Sequence, residues 1–156
     1  MFCLKVFRNS TLLVSGLLAI LFTHNALADA KPYQDFGDYR VIYTVFNSSF
    51  IKPDIAKTYN ITRGKSQALI NVSLIKNTAD GSTEGLPANI SGTVTNLMQQ
   101  QKVLKFVEVQ EQNAVYYLAP LRFTNEEVLN FAIEVKTSAN AKPFELEFTK
   151  TLYVDK

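Results

Sequence analysis

The chain has 156 residues, with 16 basic and 14 acidic side chains, one cysteine, one histidine and no tryptophan. This length suits a single domain that buries an ordinary core without disulfide bonds. Because the charges nearly balance and Lys and Arg form no run, the composition gives no electrostatic reason to expect nucleic acid or anionic lipid as a partner.

The first 28 residues have the pattern of a cleavable secretory signal. Lys5 and Arg8 precede an apolar run at 12–22, and Ala26-Leu27-Ala28 has the small residues that a signal peptidase accepts. The run spans about 16 Å as a helix, against about 30 Å for a bilayer core, so a membrane span is not expected. We predict export to a bacterial periplasm with cleavage after Ala28 or Ala30, leaving 29–156 as one domain.

Cleavage would remove the only cysteine and the only histidine of the chain. Cys3 and His24 lie inside the signal, as do two of the basic residues and none of the acidic ones. The exported chain would therefore be formally neutral, with no imidazole or thiol for a triad or a transition-metal site. Calcium needs only oxygen ligands, but residues 77–81 lack the carboxylate spacing of a calcium loop. No metal or cofactor is predicted.

Alternating apolar and polar residues predict strands through nearly all of the remainder. The first of these strands is apolar on both faces and is expected to be central. Seven strands without a long helix favour an all-β fold, a two-sheet antiparallel sandwich that is immunoglobulin-like in architecture, with a barrel as the alternative. The predicted strands are 39–46, 68–75, 90–98, 103–109, 114–119, 129–136 and 144–149.

Three segments depart from this pattern. Residues 52–59 predict a short helix in a connection, because Pro53 and Asp54 suit a first helical turn. Residues 77–89 contain Asp80-Gly81 and predict a long exposed loop. Lys150 falls on the apolar face of the last strand, which predicts a bulge or a strand end there.

The candidates for catalysis without histidine or cysteine are weak. Each candidate is expected to be an ordinary exposed or solvated side chain. An enzyme would instead need Arg63, Tyr116 or a carboxylate pair to converge in a concave pocket. Residues 124–127 also match a helix capping box, but a strand pattern follows, so no helix is predicted. The candidate pairs are Lys65 with Ser66, Ser73 with Lys76, Glu126 with Glu127, and Glu145 with Glu147.

The connection at 47–64 carries the most unexplained polarity. It is too long for a hairpin, so it either caps an open end of the sandwich or forms a binding surface. Arg63 would then bond to loop carbonyls, to a carboxylate or to an anionic ligand. The candidate binding residues are Asn47, Ser48, Phe50, Tyr59 and Arg63.

The same stretch carries a family resemblance. The segment from Asp35 to Leu74, DFGDYRVIYTVFNSSFIKPDIAKTYNITRGKSQALINVSL, resembles a family of small bacterial envelope proteins known only as a domain of unknown function. The similarity continues through 114–117 and 125–127 to 152–155. It implies a periplasmic location but transfers no substrate, cofactor or site residue.

These observations favour a non-catalytic module that binds an envelope protein or peptide, with pairing along a sheet edge as one mode. The alternatives are an envelope enzyme that uses carboxylates or a Ser/Lys pair, and a structural subunit of an envelope assembly. The last of these would show an apolar patch or an unprotected strand edge. The sequence leaves the oligomeric state open.

Overall fold

The structure is a computed structural model that describes residues 31–77 and 83–156. The predicted signal segment, both predicted cleavage sites and most of the 77–81 loop lie outside these ranges. Within the described ranges, no helix is long and apolar enough to cross a membrane.

The described residues form ten strands, one 3-10 turn and one short helix. The 3-10 turn spans Ser48–Phe50, and the helix α1 spans Pro53–Thr58, which confirms the predicted short helix. The strands are β1 Tyr33–Phe36, β2 Tyr39–Asn47, β3 Gln67–Asn77, β4 Thr83–Leu86, β5 Asn89–Asn96, β6 Gln101–Val103, β7 Val107–Glu111, β8 Ala114–Arg122, β9 Glu127–Lys136 and β10 Phe144–Leu152.

These strands form two antiparallel sheets, which confirms the predicted sandwich. The first sheet has the order β1-β2-β3-β8-β7, and β4 pairs with residues 74–77 of β3, beyond the residues 67–72 that pair with β8. The second sheet has the order β10-β9-β5-β6. In the described chain the sheets remain separate, so the barrel alternative is not supported.

The core lies between the inner faces of the two sheets. Ile70 and Val72 of β3 are fully buried, and Phe131 of β9 is 2% exposed. Phe148 stacks on Phe131 with ring centroids 4.7 Å apart and lies 4.4 Å from Tyr43 across the sandwich. Burial of these apolar and aromatic side chains provides the main favourable term in folding.

Two predicted segments are wrong in detail. Residues 103–109 alternate like one strand, but the chain leaves β6 in one sheet and enters β7 in the other, with Leu104 buried at the crossing. The predicted 77–89 loop contains β4, whose Leu86 lies opposite Leu74 of β3. Including the short β1, this raises the strand number from the predicted seven to ten.

Lys150 also differs from expectation. Strand β10 continues to Leu152 in unbroken register, with Lys150 opposite Leu129, so there is neither a bulge nor a strand end. Lys150 is exposed although Leu129 is buried. Because β10 is an edge strand, the long lysine side chain can reach solvent around the rim of the sheet.

Candidate functional site

The 47–64 connection closes on itself at one end of the sandwich. The Gly64 amide donates to the Ser48 hydroxyl at 3.0 Å, and the Arg63 guanidinium donates to the Ser49 carbonyl at 2.9 Å. Ser48 is fully buried. The two ends of the connection are thus joined by polar side chains that satisfy backbone groups.

The C-terminal tail is bonded to the same place. The Asn47 side-chain amide donates to the Tyr153 carbonyl at 2.9 Å and to an oxygen of the Asp155 carboxylate at 2.5 Å. The Ser49 hydroxyl donates to the other oxygen of Asp155. The Asp155 amide donates to the Lys65 carbonyl at 3.3 Å. We call this group, Asn47, Ser48, Ser49, Gly64 and Asp155, the terminal clasp.

Asp155 is the charged centre of the terminal clasp. Hydrogen bonds from Ser49 and Asn47 lower the pKa of its carboxyl below the ordinary value of 3.8, against a smaller opposing effect of desolvation. The nearby Lys65 ammonium lowers this pKa further. The carboxylate is therefore ionised at neutral pH and accepts charge-assisted hydrogen bonds from both side chains.

Between its two ends, the connection lies over the outer face of the first sheet. Leu69 and Val109 belong to that outer face by register and stand outside the main core, yet they are 1% and 8% exposed. Ala56 of α1 is buried as well. The Tyr59 hydroxyl donates to the Glu111 carboxylate on β7 at 2.6 Å, and this bond raises the pKa of Tyr59. The connection thus covers a sheet face as well as an end of the sandwich.

Two aromatic side chains face solvent beside the terminal clasp. Phe50 is 77% exposed and Tyr153 is 60% exposed. Both line an open concavity of about 450 Å³, together with Phe46, Lys150 and Lys156. Among the described residues, β1 pairs with β2 as far as Ile42, and the Tyr43 amide donates to the Pro32 carbonyl at 2.9 Å.

The five predicted binding residues therefore divide by role. Asn47 and Ser48 are buried in the terminal clasp, and Arg63 supports it. Tyr59 contacts β7 instead, and Phe50 is strongly exposed. Sequence reasoning missed Tyr153, Lys150, Lys156 and Asp155, because no local pattern links the last strand to residues about 100 positions earlier.

The candidate catalytic groups do not form a common site. Ser73 and Lys76 differ by an odd number of positions on β3 and therefore lie on opposite faces of the sheet. Ser66 is bonded through its carbonyl to the Phe123 amide. Arg63 lies at the terminal clasp, and Tyr116 lies on the outer face of the first sheet.

Glu145 and Glu147 lie on a third surface. They share the outer face of the second sheet and line a shallow groove, in which Glu145 is opposite Glu134. In the ranges that the structure covers, no group of three or more His, Cys, Asp and Glu side chains is arranged to hold a metal ion. Among the described strands β10 is at the edge of its sheet, and it carries the same two glutamates and Lys150, charged side chains that disfavour pairing with another strand.

Glu127 has a role that the sequence pattern only partly indicated. Its carboxylate accepts from the Thr124 amide at 2.7 Å, which is one of the two capping-box bonds, although a strand follows. The Thr124 hydroxyl donates to the same carboxylate oxygen at 3.2 Å. Burial raises the pKa of Glu127, but the bonds from Thr124 and Asn96 outweigh it and lower the pKa overall. The motif thus shapes the turn into β9.

Comparison with known proteins identifies relatives of this fold. No curated protein matches the chain. A DUF4426 family protein from Pseudomonas aeruginosa PAO1 is 31% identical, with a TM-score of 0.69 over 80% of this chain and 95% of that chain. FetP from uropathogenic E. coli strain F11 is 11% identical, with a TM-score of 0.55 over 80% of this chain and 94% of that one, a likeness of fold only. The model of the domain of unknown function DUF4426 matches residues 33–155, and the chain therefore belongs to this family.

Proposed function

We propose that this protein is an exported, non-catalytic interaction module of the bacterial envelope, which binds through the surface beside the terminal clasp. The observation that carries the proposal is the exposure of Phe50 and Tyr153 at 77% and 60% in one concavity. Aromatic side chains gain the most from burial against a partner, and exposed apolar patches on soluble domains commonly mark such contacts.

The position of these aromatics supports the proposal. Each lies within two residues of a hydrogen-bonded member of the terminal clasp: Phe50 follows Ser49, and the Tyr153 carbonyl accepts directly from Asn47. A binding surface held by such a network loses little conformational entropy when a partner binds. The buried residues of the terminal clasp thus fix the backbone beneath the surface, and the exposed rings of Phe50 and Tyr153 contact the partner.

Export rests on separate support. The N-terminal segment has the charge, apolar run and Ala26-Leu27-Ala28 ending of a cleavable signal. The structural neighbour FetP was recombinantly expressed in the periplasm of E. coli BL21(DE3), a statement about that protein alone. Export of this chain is tested by N-terminal sequencing of the protein released by osmotic shock. We expect the released protein to begin at Asp29 or Lys31. A protein that begins at Met1 and stays in the spheroplast pellet would contradict export.

Absence of catalysis is the second half of the proposal. An exported chain would have no histidine or cysteine, and the remaining candidates Arg63, Tyr116 and the Glu145/Glu147 pair lie on different surfaces. General acid-base and nucleophilic mechanisms need such groups within hydrogen-bond reach of one reacting centre. The geometry therefore favours binding over a reaction.

The experiment is photo-crosslinking in living cells. A photoreactive phenylalanine analogue is placed at position 50, at 153 or at the control position Val107, which is 61% exposed on β7. We expect discrete adducts, to protein or to lipid, from positions 50 and 153 and a much weaker signal from 107. If all three positions give the same background, the surface does not bind and the proposal is wrong.

A further inference from the structure

Exposed apolar side chains collect at one end of the sandwich. Eight large hydrophobic side chains are exposed in the described chain, and four of them lie at the end where β2, β5 and β10 terminate. Leu97 and Met98, at 69% and 73% exposure, form the tip of the turn after β5. Phe50 and Tyr153 follow β2 and β10 at the same end. We call this end, made by 48–52, 62–67, 96–102, 122–127 and 150–156, the loop end.

The loop end is also basic. Its segments contain seven basic and three acidic residues, whereas the remaining described residues contain seven basic and nine acidic ones. All seven basic side chains are exposed: Lys52, Arg63, Lys65, Lys102, Arg122, Lys150 and Lys156. Two of the acids, Glu127 and Asp155, are engaged by hydrogen bonds within the chain. The total charge of the chain is nearly balanced, but the charge is unevenly distributed and the loop end is positive.

The arrangement of the two apolar pairs fits a flat partner. Tyr153 follows β10 and Leu97 follows β5, and only β9 separates these strands in the second sheet. The ends of β10 and β5 are thus about 10 Å apart, or two strand spacings, within the basic loop end. Leu97 and Met98 do not line the concavity beside Phe50, so a peptide confined to that concavity would leave them uncovered, whereas a planar surface across the loop end can contact both pairs.

We propose that the loop end docks on an anionic phospholipid surface. The proposal rests on the proposed binding function and names its partner. Phe50, Tyr153, Leu97 and Met98 enter the interfacial layer of the bilayer, and the lysine and arginine side chains contact the lipid phosphates. Shallow insertion of a few apolar side chains combined with several basic contacts is the usual basis of reversible binding to such membranes.

The test is flotation with lipid vesicles, using protein purified after expression of the full chain in bacteria. We expect binding to vesicles of phosphatidylethanolamine and phosphatidylglycerol, little binding to phosphatidylcholine vesicles, and weaker binding as salt increases. The double variants Phe50→Ser/Tyr153→Ser and Leu97→Ser/Met98→Ser should each lower the bound fraction at least about tenfold.

The control is Val103→Ser/Val107→Ser, which alters two equally apolar positions, 73% and 61% exposed, outside the loop end. This variant should bind like the wild type, and thermal melts should show all variants folded. Failure to bind anionic vesicles, or equal losses in the control, would overturn the proposal. If positions 50 and 153 crosslink to a protein in cells while the vesicles remain unbound, the binding function stands and the lipid partner is wrong.

Discussion

Asn47 and Asp155 are 108 positions apart in the chain, and the side-chain amide of Asn47 donates to the Asp155 carboxylate at 2.5 Å. The bond joins the end of β2 in the first sheet to the tail that follows β10 in the second. The two sheets are therefore held together at the loop end by polar contacts beyond the edge of the apolar core. The candidate binding surface is built on this link.

Replacing Asn47 with alanine should destabilise the whole domain. Asn47 is only 9% exposed and donates to both Tyr153 and Asp155. Its loss removes the donor to the partly buried Tyr153 carbonyl and one of the two side-chain donors to the Asp155 carboxylate, which keeps the Ser49 hydroxyl. We therefore expect the free energy of unfolding to fall by about 1–3 kcal/mol. Urea titration measures this change. Asn89→Ala, at an exposed position on β5, should change it by less than about 0.5 kcal/mol. If Asn47→Ala lowers the free energy of unfolding no more than Asn89→Ala does, the hydrogen bonds of Asn47 do not stabilise the domain.

Asp155 should make the domain sensitive to acid. Its pKa in the folded protein is below the ordinary value of 3.8, because Ser49 and Asn47 donate to the ionised form. A carboxyl group whose pKa is lower in the folded than in the unfolded state stabilises the fold at pH values above its unfolded-state pKa. This stabilisation is lost as the pH falls through the folded-state pKa. Melting temperatures should therefore decline below about pH 4, and less steeply in Asp155→Asn than in the wild type.

The matched control for this prediction is Glu145→Gln, which removes an exposed carboxylate from the outer face of the second sheet. It should leave the wild-type pH profile in place. Should Asp155→Asn retain the full acid dependence, the charge at the terminal clasp would have no part in stability.

Tyr59→Phe should loosen the connection over the first sheet without unfolding the sandwich. The Tyr59 hydroxyl donates to Glu111 on β7, a side-chain bond that ties the end of α1 to the sheet. We expect faster amide hydrogen exchange in α1 and unchanged exchange in β3, measured by mass spectrometry.

Variants of Glu111 test whether Tyr59 and Glu111 act through one shared interaction. Glu111→Ala should give the same local effect, and the double variant should add nothing, because both changes remove one interaction. Additive acceleration of exchange would mean that the two side chains act independently. Glu111→Gln keeps an acceptor oxygen and should be milder than Glu111→Ala.

The sequence pattern predicted those strands that have one core face and one solvent face. Residues 129–136 alternate throughout, and β9 spans Glu127–Lys136 with every second residue buried from Leu129 to Val135. The crossing between β6 and β7 could not be predicted in this way. Leu104 is buried in the core, so the alternation of 103–109 continues through the point where the chain changes sheets.

The candidate site was only half predictable for a related reason. The polarity of 47–64 and its length indicated a capping or binding segment, and the structure shows that Ser48 and Asn47 close one end of the sandwich. Which side chains remain free depends on the position of the tail, and Tyr153 and Asp155 approach only through the folding of β10. The basic loop end likewise comes from five segments that are separate in sequence.

Gly92→Ala tests how closely β5 and β9 approach. A Cβ atom at Gly92 would lie 2.9 Å from the Ala132 carbonyl oxygen and 3.0 Å from Cγ1 of Ile133, and the backbone oxygen cannot move without disturbing the pairing of the strands. We therefore expect the free energy of unfolding to fall by about 1–3 kcal/mol, as for other overpacked interiors. At Gly64 the nearest atom is Cγ of Gln67 at 3.1 Å, on a flexible side chain that can shift. Gly64→Ala should consequently be the milder change in the same urea titration, and a reversed order would show that the contact at Gly92 is relieved by movement of the sheet.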